Sequence, residues 1–173
     1  TLISRVTANL QLAFETNNDV LILTASGTAG LEAAIANTLS PGDRVLAVVV
    51  GVFGERFAQI AEAYGAEVLR LTVAHGCAAE PDQVRQALRE KSAIKAVLIT
   101  HNETSTGVTN DLQAIAHVVK EEFDKLLLVD AVSSIGALPL PVDEWKCDVV
   151  ITGSQKAWMS PPGVQFASSW TCF

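Results

Sequence analysis

Three short segments carry side chains whose type and setting suit chemistry. Leu126-Leu127-Leu128-Val129-Asp130 puts a carboxylate directly after four apolar residues. A carboxylate drawn inward by such a run must find a cationic partner or shift its pKa, because an unpaired buried charge is costly. Val149-Val150-Ile151-Thr152-Gly153-Ser154-Gln155-Lys156 has the same form and ends on an amine. Desolvated and set near another cation, that amine becomes a nucleophile toward a carbonyl. Thr24-Ala25-Ser26-Gly27-Thr28-Ala29-Gly30 leads into helical periodicity with small residues and hydroxyls. The free N–H groups of a first helical turn, with Ser26 and Thr28 beside them, would suit a phosphate. Each has a plainer counterpart: a turn or cap for Asp130, a solvated loop for Lys156, a helix N-cap for Ser26. Neither GxGxxG nor GK[ST] occurs, which argues against a Rossmann dinucleotide site and excludes a P-loop.

The elements that must position these residues follow from hydrophobic periodicity. Ile3, Val6, Leu10 and Phe14 recur at helical spacing, in a helix expected to end near Asn17-Asn18. Leu31, Ala34, Ile35, Thr38 and Leu39 form a second stripe, and Phe57, Ile60, Ala61 and Tyr64 a third, closed by Gly65. Pro81 suits the first position of a helix carrying Val84, Ala87 and Leu88, and Leu112, Ile115, Ala116 and Val119 make another. Between them lie short apolar strands at residues 20–23, 45–50, 68–71, 94–99, 126–129 and 149–151. Apolar strands separated by helices predict a mainly parallel sheet covered on both faces, a three-layer α/β/α sandwich. In such sheets chemistry gathers at the carboxyl ends of strands. Those ends carry residues 26–28, 51–54, 101–107, 130–134 and 152–156, all expected at one edge.

Composition narrows the functional classes. The chain has 173 residues, 49% of them hydrophobic, enough for one domain with a sizeable core. The apolar run Val45 to Val50 covers about a third of the ~20 residues that span a bilayer, so no membrane span is expected. Twelve Lys and Arg against nineteen Asp and Glu give a net charge of −7, which disfavours nucleic acid as a partner. Cys77, Cys147 and Cys172 form no CxxC and no zinc-ligand spacing, so free thiols in a reducing, cytoplasmic compartment are expected. His101 and Glu103 stand two apart without a third ligand, which points to loop structure or site shaping rather than a metal. His75 and His117 read as loop and helix-surface residues, Trp145 and Trp158 as packing residues, with Trp158 close enough to Lys156 to shape a pocket. The chain starts at Thr1 within a helical pattern and stops at Phe173 without a polar tail, so a truncated domain is expected.

An acid, a lysine and a phosphate cradle at one edge fit a phosphate-bearing cofactor with a carbonyl and a ring nitrogen. Pyridoxal 5'-phosphate meets those requirements. The 26 residues from Asp130 to Lys156 leave room for one connection between neighbouring strands. At these residues the chain resembles the class V, fold-type I pyridoxal-phosphate aminotransferases, especially the alanine–glyoxylate and serine–glyoxylate group. The resemblance rests on SGTAGLEAAIAN (26–37), PGDRVL (41–46), HNETSTGV (101–108), LLLVDAVSSIGALPL (126–140) and GSQKAWMSPPG (153–163). Some cyanobacterial members of that group carry a soluble-hydrogenase name.

The resemblance implies that Lys156 forms the internal aldimine and later carries the proton between Cα and the cofactor. It implies that Asp130 pairs with the pyridinium nitrogen. Val132 would pack on one ring face and Phe53 on the other, where many relatives have Trp. Ser26, Gly27 and Thr28 would hold the phosphate with Gln155 beside them, and Thr104 would hydrogen-bond near the ring hydroxyl or phosphate. Gln155 stands where cysteine desulfurases of this class usually show His, although phosphoserine aminotransferases can also show Gln. The implied activity is transfer of an amino group from alanine or serine to glyoxylate, with a small amino acid and a 2-oxo acid as substrates, by a homodimer. Residues 1–173 would be the cofactor-binding large domain without the family's N-terminal arm and C-terminal small domain. The family's substrate-carboxylate arginine belongs to that missing region and maps onto no arginine here. Ala167 to Phe173 depart from the family pattern. Another class V enzyme (phosphoserine aminotransferase, cysteine desulfurase or lyase) and a non-catalytic fragment are the alternatives.

Overall fold

The computed structural model describes residues 1–91 and 93–169. Its organising element is a seven-stranded sheet. The strands are β1 (Val20–Leu23), β2 (Arg44–Val49), β3 (Glu67–Thr72), β4 (Ile94–Thr100), β7 (Leu126–Asp130), β8 (Val149–Gly153) and β9 (Gln165–Ser169). A separate two-stranded ribbon, β5 (Asn102–Glu103) with β6 (Val108–Thr109), follows β4. The sheet order is β1-β9-β8-β7-β4-β2-β3. From β8 to β3 every pairing is parallel, whereas β9 runs antiparallel to both β8 and β1. Six of the seven strands therefore point the same way, with β9 as the reversed one.

Alternating side chains build a core on each face of this sheet. Leu46, Val48, Val97, Ile99, Leu127, Val129 and Val150 meet Leu10, Phe14, Val84, Leu88, Leu112 and Ile115 on one side. Val45, Ala47, Ala96, Leu98, Leu128 and Ile151 meet Leu31, Ala34, Ile35, Phe57 and Ala61 on the other. Helices α1 (Leu2–Phe14), α4 (Pro81–Glu90) and α5 (Leu112–His117) thus cover the first face, and α2 (Gly27–Thr38) and α3 (Val52–Ala63) the second. This is the expected three-layer sandwich, and the central strands are apolar on both sides because both sides are covered.

Several local expectations need correction. Helix α1 ends at Phe14, where Glu15 turns left-handed at φ 50°, three residues before Asn17-Asn18. Of its predicted stripe Leu10 and Phe14 are buried, but Ile3 is 71% exposed, because only the C-terminal part of α1 lies on the sheet. The helix through Val119 changes after His117 into a π turn, Val118–Glu122. The largest omission is β9. Gln165, Phe166, Ala167 and Ser168 are buried in the sheet, although their polar and small residues give no apolar run to read. Ala167 to Ser169 belong to this strand. Cys172 and the rest of residues 170–173 lie outside the described residues.

Candidate active site

The strand ends meet at one edge as expected. Asp130 closes β7, and Lys156 follows β8, its neighbour in the sheet. Phe53, Thr104, Asp130, Val132 and Lys156 line one small cavity, joined by Thr100, Asn102 and Ser133. Asp130 and Lys156, 26 positions apart, are brought to one place because their strands pair in parallel.

Asp130 is buried, and its Oδ1 accepts the Val132 N–H at 3.0 Å. Burial pushes its pKa up to about 6; the Val132 hydrogen bond opposes that rise, and the nearby Glu103 adds to it. Among the described residues no cation forms an ion pair with this carboxylate, although the Arg56 charge acts to lower its pKa; a protonated ring nitrogen would supply the missing partner. Lys156 is exposed at the cavity, so the described residues do not desolvate its amine.

Gly27 connects the segment 24–30 to this cavity. A Cβ there would stand 2.9 Å from Cγ2 of Val132, so the first turn of α2 approaches the cavity wall as only glycine allows. Residues 27 and 28 occupy the first turn, where N–H groups lack intrahelical partners. Ser26 is the N-cap of α2, its Oγ accepting the Ala29 N–H at 3.3 Å. Ser26, Thr28 and Gln155 do not line the cavity. Gln155 is exposed, with Oε1 lying 2.8 Å from where a Gly153 Cβ would stand.

Phe53 is half-buried in the first turn of α3, and the Arg56 guanidinium lies 5.4 Å from its ring centroid. Asn102 had no site role from sequence, although the extended stretch 102–104 puts alternate residues on one side; Ser133, which beside Asp130 resembles part of the site, does line the cavity. Asn102 Nδ2 donates to Ser133 Oγ at 2.9 Å, and Ser133 Oγ donates to the Asn102 carbonyl at 2.9 Å. His101 lies behind this wall. It is buried against Ser134 Oγ (3.1 Å) and the edge of Trp145, and burial pushes its pKa down to about 4. Trp158 belongs to the core rather than the pocket. Its ring stacks on Phe14 at 6.1 Å, meets Phe166 at 5.5 Å, and donates its Nε1–H to Thr152 Oγ1. His75 and His117 are exposed, as expected. Cys77 and Cys147 are free thiols, and burial pushes Cys147 up to about 12. No helix among the described residues is long and apolar enough to cross a membrane.

A parallel-rich sheet carrying an acid and a lysine at its carboxyl edge is the architecture of the fold-type I pyridoxal-phosphate enzymes. The chain belongs to the class-V aminotransferase family, whose pattern it matches over residues 3–168. It is 46% identical to the soluble hydrogenase small subunit of Synechococcus sp. (strain PCC 6716), over 96% of this chain and 44% of that protein. It is 41% identical to the serine–glyoxylate aminotransferase of Methylorubrum extorquens, over 86% of this chain and 38% of that one. The solved alanine–glyoxylate aminotransferase from Nostoc sp. superposes with a TM-score of 0.93 at 33% identity, covering 98% of this chain and 45% of that structure. The chain thus spans less than half the length of these relatives.

Pyridoxal 5'-phosphate is the cofactor of this family. The residues present fit it: a buried acid for the ring nitrogen, a lysine for the aldehyde, an aromatic and a branched wall, and a glycine that lets a helix N-terminus approach.

Proposed function

We propose that this chain is the cofactor-binding large domain of an aminotransferase that moves an amino group between a small amino acid, alanine or serine, and glyoxylate. The observation that carries the reading is the convergence of Phe53, Thr104, Asp130, Val132 and Lys156 on one cavity at the carboxyl edge of the sheet. The similarity to serine–glyoxylate and alanine–glyoxylate aminotransferases supports the choice of substrates. When bound, pyridoxal phosphate supplies an aldehyde carbon and a ring that accepts the electron pair left as Cα loses its proton.

The chain's residues divide the remaining work. Asp130 would hold the proton on the ring nitrogen and so gain a partner for its buried charge. Lys156 Nζ would hold the cofactor and, when free of it, would move the proton from the substrate Cα. Phe53 and Val132 would wall the ring. The first turn of α2, with Ser26, Gly27 and Thr28, holds the phosphate, and Gln155 stands beside it. Thr104 offers a hydroxyl to the ring substituents. The complete protein acts in the cytoplasm as a homodimer, binds neither nucleic acid nor membrane, and closes its site with segments outside residues 1–173.

Turnover by the complete protein tests the reading. Alanine or serine should convert glyoxylate to glycine, and borohydride should fix the cofactor on Lys156 but not in Lys156→Ala. Sulfide release from cysteine, or hydrogen uptake, without amino transfer would replace the proposed activity. An adduct persisting in Lys156→Ala would move the site elsewhere.

A further inference from the structure

Helix α3 begins without a cap of its own. Its N-cap residue, Gly51, has no side chain, and the first-turn N–H groups need partners from elsewhere. They find them some fifty residues along the chain. Glu103 Oε2 accepts the N–H groups of Phe53 and Gly54, both at 3.0 Å. Glu103 Oε1 accepts the N–H and hydroxyl of Ser105 at 3.1 and 2.7 Å, and Ser105 Oγ accepts the Val52 N–H at 3.0 Å. Glu103 is fully buried, and both its oxygens are used as acceptors only, a pattern that suits a carboxylate.

Space has been cleared for this fastening. A Cβ on Gly51 would stand 2.5 Å from Cγ of Glu103 and 2.5 Å from Oγ of Ser105. The segment also alternates. Asn102 and Thr104 line the cofactor cavity, while Glu103 and Ser105 hold α3. One carboxylate therefore ties together two cavity walls, the Phe53 ring and the Thr104 hydroxyl, contributed by different elements.

We infer that Glu103 is a positioning residue for the cofactor, setting the Phe53 ring and the Thr104 hydroxyl at fixed places around it. This rests on the proposed function, which supplies the cofactor between those walls. Glu103 touches neither cofactor nor substrate; it acts through α3.

The experiment compares Glu103→Ala, Glu103→Gln and Ser105→Ala in the complete protein, using pyridoxal phosphate as the probe. Three properties are read: the dissociation constant, the visible circular dichroism of bound cofactor at saturation, and amide hydrogen exchange over residues 52–54 without cofactor. Loss of charge-assisted bonds in Glu103→Ala should weaken binding about tenfold or more. It should also change the dichroism and speed exchange, while borohydride still fixes the cofactor on Lys156. Glu103→Gln, whose amide keeps one acceptor oxygen, should fall between Glu103→Ala and the unaltered protein, and Ser105→Ala should show the smallest change. Should Glu103→Ala fail to fold, the Gln variant decides. Unchanged dichroism and affinity in a folded Glu103→Ala or Glu103→Gln would overturn the inference while leaving the proposed function standing. If the unaltered protein takes up no cofactor, the proposed function fails first, and this role falls with it.

Discussion

Gly27 and Val132 pack so closely that the first turn of α2 and the segment after β7 form one surface. The Cβ that Gly27 lacks would stand 2.9 Å from Cγ2 and 3.3 Å from Cγ1 of Val132. Valine is stiff about χ1 and has little freedom to yield. Overpacking of this kind costs about 1–3 kcal/mol. Gly27→Ala should therefore displace Val132 and weaken pyridoxal phosphate binding about tenfold, as read by fluorescence titration. Unchanged affinity would show that Val132 can move at no expense to the site.

Asp130 should make the cofactor-free protein pH-sensitive. Burial raises its folded pKa from 3.8 to about 6, so the native state binds more protons than the unfolded chain between those values. Stability from this group therefore falls as pH rises through that window and stays reduced above it. At neutral pH the cost is about 3 kcal/mol, from roughly two pKa units. Asp130→Asn should be more stable than the unaltered apoprotein at neutral pH, with the gap closing by about pH 4 in urea titrations. An equal gap at both pH values would sink the argument.

Gln165 should be replaceable at a profit in stability. Its side chain is fully buried, and among the described residues Nε2 and Oε1 have no hydrogen-bond partner. Leaving such an amide unsatisfied costs about 1–3 kcal/mol. Gln165→Met keeps the length and removes the polar atoms, and it should raise the thermal midpoint. The neighbouring Gly30→Ala should lower it, because the new Cβ would lie 1.6 Å from Oε1 of Gln165 and 2.6 Å from Cγ2 of Ile151. A Gln165→Met protein no more stable than its parent would mean that water satisfies the amide.

Asp143 should anchor the turn between α1 and β1. Its carboxylate accepts from Thr16 Oγ1 at 2.5 Å, Asn17 N at 2.8 Å and Asn18 Nδ2 at 2.9 Å. Burial acts to raise its pKa, but these hydrogen bonds outweigh it and hold the group below the usual carboxylate range. Asp143→Ala should cost about 2–3 kcal/mol at neutral pH. The loss should shrink in acid as the parent carboxylate protonates, which denaturation at two pH values would show.

Residue order alone determined much of this protein. Apolar runs alternating with helical stripes made the layered α/β architecture legible, because both faces of a covered sheet must be apolar. The placement of Asp130 and Lys156 just past such runs made the site edge legible too. Tertiary structure decided what has no local signal. Strand β9, with Gln165 and Ser168 buried, reads as polar; its place between β1 and β8 depends on partners distant in sequence. His101 and Glu103 look alike as a spaced polar pair. Folding sends the histidine into the core and gives the carboxylate to a helix that starts fifty residues earlier. That difference arises because unsatisfied N–H groups on α3 belong to one element and their acceptor to another, and only packing brings the two together.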